Sequence, residues 1–375
     1  MVEFITMAPT SGDGTYVGTS NTNAQRIDGW TASDESAERP PTLEYILAVA
    51  QAAEKGGFST LLLPTGGSCL DSLSVAANLT AYTENLNFLF AVRPGSTQPA
   101  VFAKQFATVD YWSGGRARVN IVTGGQPKEL ASDGDFLDHT SRYKRTKEYI
   151  QVLKRLFTED GFDHEGEFFT LKNASLFPKP VQKPRPEIYF GGASEIGKQV
   201  AAEDSDVYMM WGETLENSRE RINEMKKLAK EKDRQLSYSI SFQVILGETE
   251  EEAWNNANRL VSKLSPELAS KKSEQTKKEG DSTGVKRLHQ LMEQGKENNF
   301  IIGPNLWAGL TQVISGNSIA LVGTPDQVAD RLIEYVNLGF DKVLLRGFPH
   351  LETIEQIGEL VIPRVHSRLK EKALI

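Results

Sequence analysis

A chain of 375 residues, 39% hydrophobic and 25% charged, is long enough to bury one large core or two. Its net charge of -8 and pI of about 5.4 give no basic surface of the kind that nucleic acid or an anionic membrane requires. A single cysteine, Cys69, excludes an internal disulfide; no apolar run reaches the roughly 18 residues of a membrane span; and the five histidines lack metal-ligand spacing. Met1–Met7 has neither the basic start nor the long apolar run of a targeting segment, so a soluble cytoplasmic protein is expected. In chain order, Phe4–Ala8 reads as a first strand. The polar stretch Pro9 to Pro41 then reads as an insertion, functional or disordered. Thr42 is the candidate N-cap of a helical pattern that runs to Lys55 and stops at Gly56-Gly57.

Apolar, β-branched strands over 59–64, 86–92 and 118–124 alternate with helical patterns over 70–80, 99–112 and 142–158. The second half repeats the rhythm, with strands over 187–192, 206–212, 237–246 and 342–347. Its helices cover 195–202, 215–232, 249–263 (N-cap Thr249) and 325–338, and one more starts near Leu351. The strands are continuous runs, as parallel strands buried on both faces should be. Eight such βα units predict an α/β fold of the (β/α)8 barrel type, with a doubly wound open sheet as the alternative. Besides the insertion after the first strand, two segments break the pattern. Residues 159–186 hold a hairpin-like element at 162–171 and four prolines. Residues 265–323 read as irregular before the eighth strand, and their centre, 271–281, is densely charged, a solvated surface or a lid. Neither marks a boundary, so 1–375 reads as one domain with an insertion or lid at about 265–323.

Active sites of such barrels lie at the C-terminal ends of the strands. There, Asn120 in Arg118–Gly125 is read as a buried amide in need of partners, held either by a local backbone kink or by a ligand. Gly191-Gly192-Ala193-Ser194 precedes a helix, so its backbone N–H groups suit an oxyanion, while Ser194 equally suits a plain N-cap. Cys69, read as opening a helix, is a reactive thiol or a small packing residue. Trp211 offers a flat face to a planar ligand or fills the core. No nucleophile triad, phosphate-binding Walker sequence or paired metal carboxylates emerge, which leaves the hard chemistry to a cofactor.

Nine stretches match a known family in order. They include Thr10-Ser-Gly-Asp-Gly-Thr-Tyr, Pro64-Thr-Gly-Gly-Ser-Cys, Asn120-Ile-Val-Thr-Gly, Asp138-His-Thr-Ser-Arg-Tyr, Tyr189-Phe-Gly-Gly-Ala-Ser, Met210-Trp-Gly-Glu and Gly347-Phe-Pro-His-Leu-Glu. The chain thereby resembles the bacterial luciferase-like flavin monooxygenases, and within them the alkanesulfonate monooxygenase group. The resemblance implies a (β/α)8 barrel that takes reduced FMN (FMNH2) from a separate NAD(P)H-dependent FMN reductase, adds O2 at the flavin C4a position, oxygenates a small organosulfur substrate and forms homo-oligomers, dimers or tetramers. It places Asn120 and Thr123 around the flavin ring, with Thr65 and Gly124 also expected among the cofactor-binding residues. It places His139, Arg142, Tyr143, Gly192, Ala193 and Ser194 near the ribityl chain and phosphate. Cys69, Trp211, Gln243, Arg346 and Phe348 fall on the substrate side. Four positions depart from the group: Ser241 and Gln243 replace an Arg and a His on the seventh strand, Phe348 replaces a Tyr, and Glu297 falls opposite the lid arginine. A fixed guanidinium and a titratable ring are lost there, while Arg93 and Arg346 remain as anion contacts. An F420-dependent hydride-transfer enzyme and a non-catalytic flavin-binding protein stand as alternatives.

Overall fold

The computed structural model describes residues 2–17, 39–265, 267, 269–270, 274, 281–314 and 316–373. The polar stretch after the first strand and the charged centre of the 265–323 insertion therefore lie mostly outside the described residues. The first half of the chain runs β1 (Glu3–Met7), α1 (Leu43–Lys55), β2 (Thr60–Leu63), α2 (Ser72–Leu79), β3 (Asn87–Val92), α3 (Pro99–Trp112), β4 (Ala117–Ile121), α4 (Pro127–Ser132) and α5 (His139–Thr158). A hairpin of β5 (Phe162–Glu165) and β6 (Thr170–Ala174) follows, then β7 (Ile188–Phe190), α6 (Glu195–Asp204), β8 (Val207–Trp211), α7 (Leu215–Glu231), β9 (Ser237–Leu246) and α8 (Glu250–Leu260). The chain continues through α9 (Thr283–Gly295), β10 (Ile301–Gly303), β11 (Leu306–Trp307), β12 (Ala320–Gly323), α10 (Pro325–Leu338), β13 (Lys342–Arg346), α11 (His350–Gln356) and α12 (Ile362–Ala373).

Eight of these strands form a closed parallel ring in the order β1-β2-β3-β4-β7-β8-β9-β13 and back to β1. This is the (β/α)8 barrel expected from the eight apolar runs. Alternation along each strand sorts the side chains. Phe4, Leu61, Phe88, Phe90, Val119, Ile240, Phe242 and Leu345 point outward into the layer beneath the helices. Ile5, Met7, Leu62, Leu89, Tyr189, Val207 and Leu344 fill the barrel interior. The floor of the interior is polar. Arg118 pairs with Glu3 and donates to Thr60 Oγ1 (2.9 Å) and Tyr189 OH (3.0 Å), while Lys342 Nζ lies 3.0 Å from the second Glu3 oxygen.

Strand β9 is ten residues long and has three neighbours. Its lower part pairs with β8 and β13, and its upper part, from Gln243 to Leu246, pairs with β12. The strands β12, β11 and β10 extend the sheet above the ring, antiparallel to one another. This corrects the reading of 265–323 as irregular: β10 and β11 are only three and two residues long, too short to carry a periodic signal. Thr42, Thr249 and Ser194 cap their helices as expected. Helix α5 begins earlier than its apolar pattern, at His139, because Asp138 accepts from the backbone of Thr140 and Ser141. No described helix is long and apolar enough to cross a membrane.

Candidate active site

Alternation that sends Arg118 and Leu344 inward also sends Asn120, Gly191, Trp211, Ser241, Gln243 and Arg346 inward, one step nearer the C-terminal ends. They ring the barrel mouth. Asn120 is half-buried, as is Arg118, the other inward residue of β4, so it is not the fully buried amide expected. The mouth end of the barrel keeps it accessible.

At the β7 end, three glycines form a seat. A Cβ on Gly191 would lie 2.9 Å from the Met209 carbonyl oxygen, and one on Gly192 would lie 3.0 Å from the Gly197 Cα. One on Gly197 would lie 2.9 Å from Cε1 of Tyr143. Only glycine lets the β7 loop, the first turn of α6 and the Tyr143 ring approach this closely. Ser194 caps α6 by accepting from the Gly197 N–H at 3.2 Å. Tyr208 OH donates to the Gly192 carbonyl at 2.9 Å, and Arg221 reaches the Ala193 carbonyl at 3.5 Å. In a trans peptide the N–H opposes the C=O. Holding these two carbonyls against β8 and α7 therefore turns the Ala193 and Ser194 N–H groups to the other side of the turn. With the positive end of α6 behind them, the residues present fit a phosphate. The His139 ring lies 4.9 Å from that of Tyr143 in a tilted contact, and burial holds the Tyr143 phenol above the ordinary range.

The loop after β4 turns at Gly124, whose φ of 84° suits glycine and whose Cβ would meet Leu130 at 2.7 Å. The Thr123 hydroxyl is turned to α5, 3.0 Å from Thr146 Oγ1. Thr146 spends its proton on the Arg142 carbonyl, so Thr123 is the donor of that pair. The Arg142 side chain is buried, pairs with Asp281 and donates to the Leu137 carbonyl at 2.7 Å. Arg93, expected as an anion contact, is bound to Glu129 (2.6 Å) and Asp133 (3.0 Å). Thr65 is half-buried in the loop after β2, where Glu129 also accepts from the Gly67 N–H at 2.6 Å.

The substrate side is built on β9, β13 and β1. Gln243 is fully buried and its amide donates to the Asn317 carbonyl at 2.8 Å; Ser241 donates to the Met210 carbonyl at 3.2 Å. Both are spent on holding the wall. Beside Gln243 in register stands Arg346, fully buried, 3.6 Å from the Met7 sulfur and 5.5 Å from the Phe348 ring. Burial pulls its guanidinium down to about 9 against the opposing charges of Asp13 and Cys69, so it stays protonated at neutral pH. Cys69 does not open a helix, as expected from sequence: α2 starts at Ser72 with Asp71 as cap, and Cys69 lies in the preceding turn, its N–H on the Gly66 carbonyl. The positive charge coupled to the thiol is Arg346, not a helix end. Trp211 is half-buried, and Gly284, in the first turn of α9, packs against its ring.

Two residues of this side escaped the sequence reading. Asp13, fully buried, accepts from the His350 ring at 3.0 Å, the His350 backbone at 2.6 Å, the Gly14 backbone at 2.9 Å and the Tyr45 hydroxyl. Four donors saturate a carboxylate. Burial opposes the charge of Asp13, but His350 and Tyr45 outweigh it and hold the carboxyl below its usual range. The other ring nitrogen of His350, Nε2, is buried with no hydrogen-bond partner among the described residues. The only signal in sequence was the motif itself: Asp13 lies in Thr10–Tyr16 and His350 in Gly347–Glu352, stretches far apart in the chain.

No group of three or more metal-ligating side chains exists among the described residues. The site thus combines an anion seat, a half-open barrel mouth and a buried cation. The sequence model of the luciferase-like monooxygenases matches residues 17–342. The chain belongs to that family. Solved structures share its fold at low identity. A riboflavin lyase, solved with modified FMN and riboflavin, superposes with a TM-score of 0.75 at 21% identity, over 98% of this chain and 92% of that one. The EDTA monooxygenase of Chelativorans sp. BNC1 gives 0.76 at 20% identity, over 98% and 94%. The coenzyme F420-dependent tetrahydromethanopterin reductase of Methanopyrus kandleri gives 0.63 at 17% identity, over 86% and 96%.

Proposed function

We propose that this chain is the oxygenase of a two-component flavin system, cytoplasmic and homo-oligomeric, which receives FMNH2 from a separate NAD(P)H-dependent FMN reductase and uses O2 to oxygenate a small organosulfur compound such as an alkanesulfonate. The glycine seat under Ala193 and Ser194, fitted to a phosphate at the mouth of a luciferase-like barrel, carries this reading. Reduced FMN, when bound, supplies the electrons that activate dioxygen. The chain's own part is to hold and orient. Ser194 and the turned N–H groups take the phosphate, Tyr143 walls the ribityl side, and Asn120 offers its amide to the ring from β4. Cys69, Trp211, Arg346 and Phe348 surround the substrate.

Anaerobic titration with FMNH2, FMN and F420, followed by rapid mixing with oxygen, tests the reading. Tight FMNH2 binding and substrate-dependent oxygen uptake are expected. A sulfite-release screen over short alkanesulfonates then tests the substrate; a flat response across chain lengths removes desulfonation and leaves oxygenation standing. The shared fold of the F420-dependent reductase favours a second reading, hydride transfer with a deazaflavin; binding of F420 with no affinity for FMNH2 would decide for it.

The phosphate assignment makes a separate prediction. Ser194→Ala and Tyr208→Phe should each weaken FMN binding about 5- to 30-fold, the loss of a hydrogen bond to a charged group or of its support. Riboflavin, which lacks the phosphate, should bind both variants as it binds the wild type. Equal losses for FMN and riboflavin in fluorescence titrations would sink the assignment.

A further inference from the structure

The segment that opens α9 reaches from the β4 loop to the end of β8. Ser282 caps the helix, and a Cβ on Gly125 would lie 2.9 Å from the Ser282 Cβ. Two residues on, a Cβ on Gly284 would lie 2.9 Å from the Trp211 ring, and Arg287 Nε donates to Glu213 at 2.7 Å. Asp281 precedes the cap and pairs with Arg142 of α5. That pair is incomplete. One Asp281 oxygen meets one Arg142 nitrogen, while Asp281 Oδ1 and Arg142 Nε are buried with no hydrogen-bond partner among the described residues. Arg145, three residues on, instead holds both oxygens of Asp135. Asp281 also stands beside the phosphate seat. Its charge reaches Tyr143, whose phenol burial raises, a hydrogen bond with Ser194 lowers and Asp281 raises again.

We propose that Asp281 and the flavin phosphate compete for Arg142, so that flavin binding and docking of the α9 opening oppose one another. The inference rests on the Gly191–Ser194 turn being the phosphate seat, as read above. A guanidinium has five N–H donors. In Arg142 the Leu137 carbonyl takes one and Asp281 another. A phosphate carries more charge than a carboxylate and a third oxygen, so it can serve a donor that Asp281 leaves orphaned. Two anions beside one buried cation repel each other. The Asp281 side chain is partly exposed, whereas Arg142 is buried, so the carboxylate is the group that can turn to water. The coupling is reciprocal: the factor by which Asp281 weakens FMN binding is the factor by which FMN weakens the docking of Asp281.

Titration of the full-length chain with FMN, riboflavin and inorganic phosphate tests this. Asp281→Asn should bind FMN and inorganic phosphate about 5- to 30-fold more tightly than the wild type does, and riboflavin equally. In an Arg142→Gln background the same substitution should gain nothing, because the contested cation is gone. A second readout needs no variant. Hydrogen exchange of the backbone N–H groups of 285–290 in the wild type should speed up when FMN or inorganic phosphate is added, as the start of α9 loses its anchor. Melting curves report whether each variant folds, and if either does not, this exchange decides. Exchange that is unchanged or slower overturns the competition. So does FMN affinity in Asp281→Asn no higher than in the wild type, or a gain that persists without Arg142; the flavin reading then stands. If neither the wild type nor Asp281→Asn binds FMN, the flavin reading falls and inorganic phosphate decides: tighter binding by Asp281→Asn keeps the competition, and equal or absent binding ends it.

Discussion

Asp13→Ala is expected to destabilise the protein by about 3 to 5 kcal/mol, because several buried donors lose their common acceptor at about 1 to 3 kcal/mol each. The carboxylate is fully buried and receives four hydrogen bonds, from two backbone N–H groups, the His350 ring and the Tyr45 hydroxyl. Alanine leaves all four donors facing an apolar gap, and each orphaned donor carries its own desolvation cost. Urea unfolding should show the lower midpoint, and binding at the mouth should weaken with it, because this pair ties the 10–17 segment to the β13–α11 turn. The charge has a pH signature. Asp13 is held below its unfolded value, so it contributes stability above that value, and the contribution is lost as pH falls through the folded one. Asp13→Asn should therefore show a flatter acid limb than the wild type. An alanine variant with an unchanged midpoint would show that Tyr45, His350 and Gly14 find other acceptors.

The barrel floor should dominate acid unfolding. Glu3 is depressed from 4.5 to about 2: burial raises it, but Arg118 and Lys342 with the hydroxyl of Thr60 more than reverse that. Its side chain is 17% exposed, so screening by solvent is modest. The shift corresponds to about 3 kcal/mol of stability. The folded pKa lies below the unfolded one, so this stability is complete above about pH 4.5 and is lost progressively as pH falls toward 2. Glu3→Gln should lose a comparable amount at neutral pH and then show little further loss over that window. Chemical unfolding at a series of pH values measures both. Parallel acid limbs for variant and wild type would place the acid-sensitive group elsewhere.

The ring of strands was legible because parallel barrel strands are apolar on both faces. Each of the eight runs survives as a strand within a few residues of its expected ends, and the Pro99–Trp112 and Pro325–Leu338 helices match at both ends. The hairpin-like element expected at 162–171 is the β5–β6 hairpin, whose strands are largely exposed rather than apolar on both faces. What stayed hidden depends on contacts between distant positions. The Arg142–Asp281 pair spans 139 residues and the Asp13–His350 pair spans 337, and no periodicity joins them. Residues 301–323 look irregular in sequence because β10 and β11 borrow their stability from β12 and β9 rather than from any run of their own. Gln243 illustrates the limit at the site: its position on the inward face of β9 was legible, but not that its amide is consumed by the Asn317 carbonyl. The departures at 241 and 243 marked the altered side of the barrel; only the register of β13 beside β9 shows Arg346 standing next to them.

The pairing of β1 with β13 has a consequence for biosynthesis. Glu3 lies opposite Lys342, so β1 is synthesised long before β13, its partner on this side. Until then both edges of the growing sheet expose unpaired backbone groups, and such edges recruit other chains. The Glu3–Lys342 ion pair sits on that seam and forms only when β1 and β13 meet. Contacts of such long sequence separation form slowly. A nascent chain stalled before residue 342 is therefore an open sheet with two sticky margins, and the interval before closure is when it has most need of a chaperone.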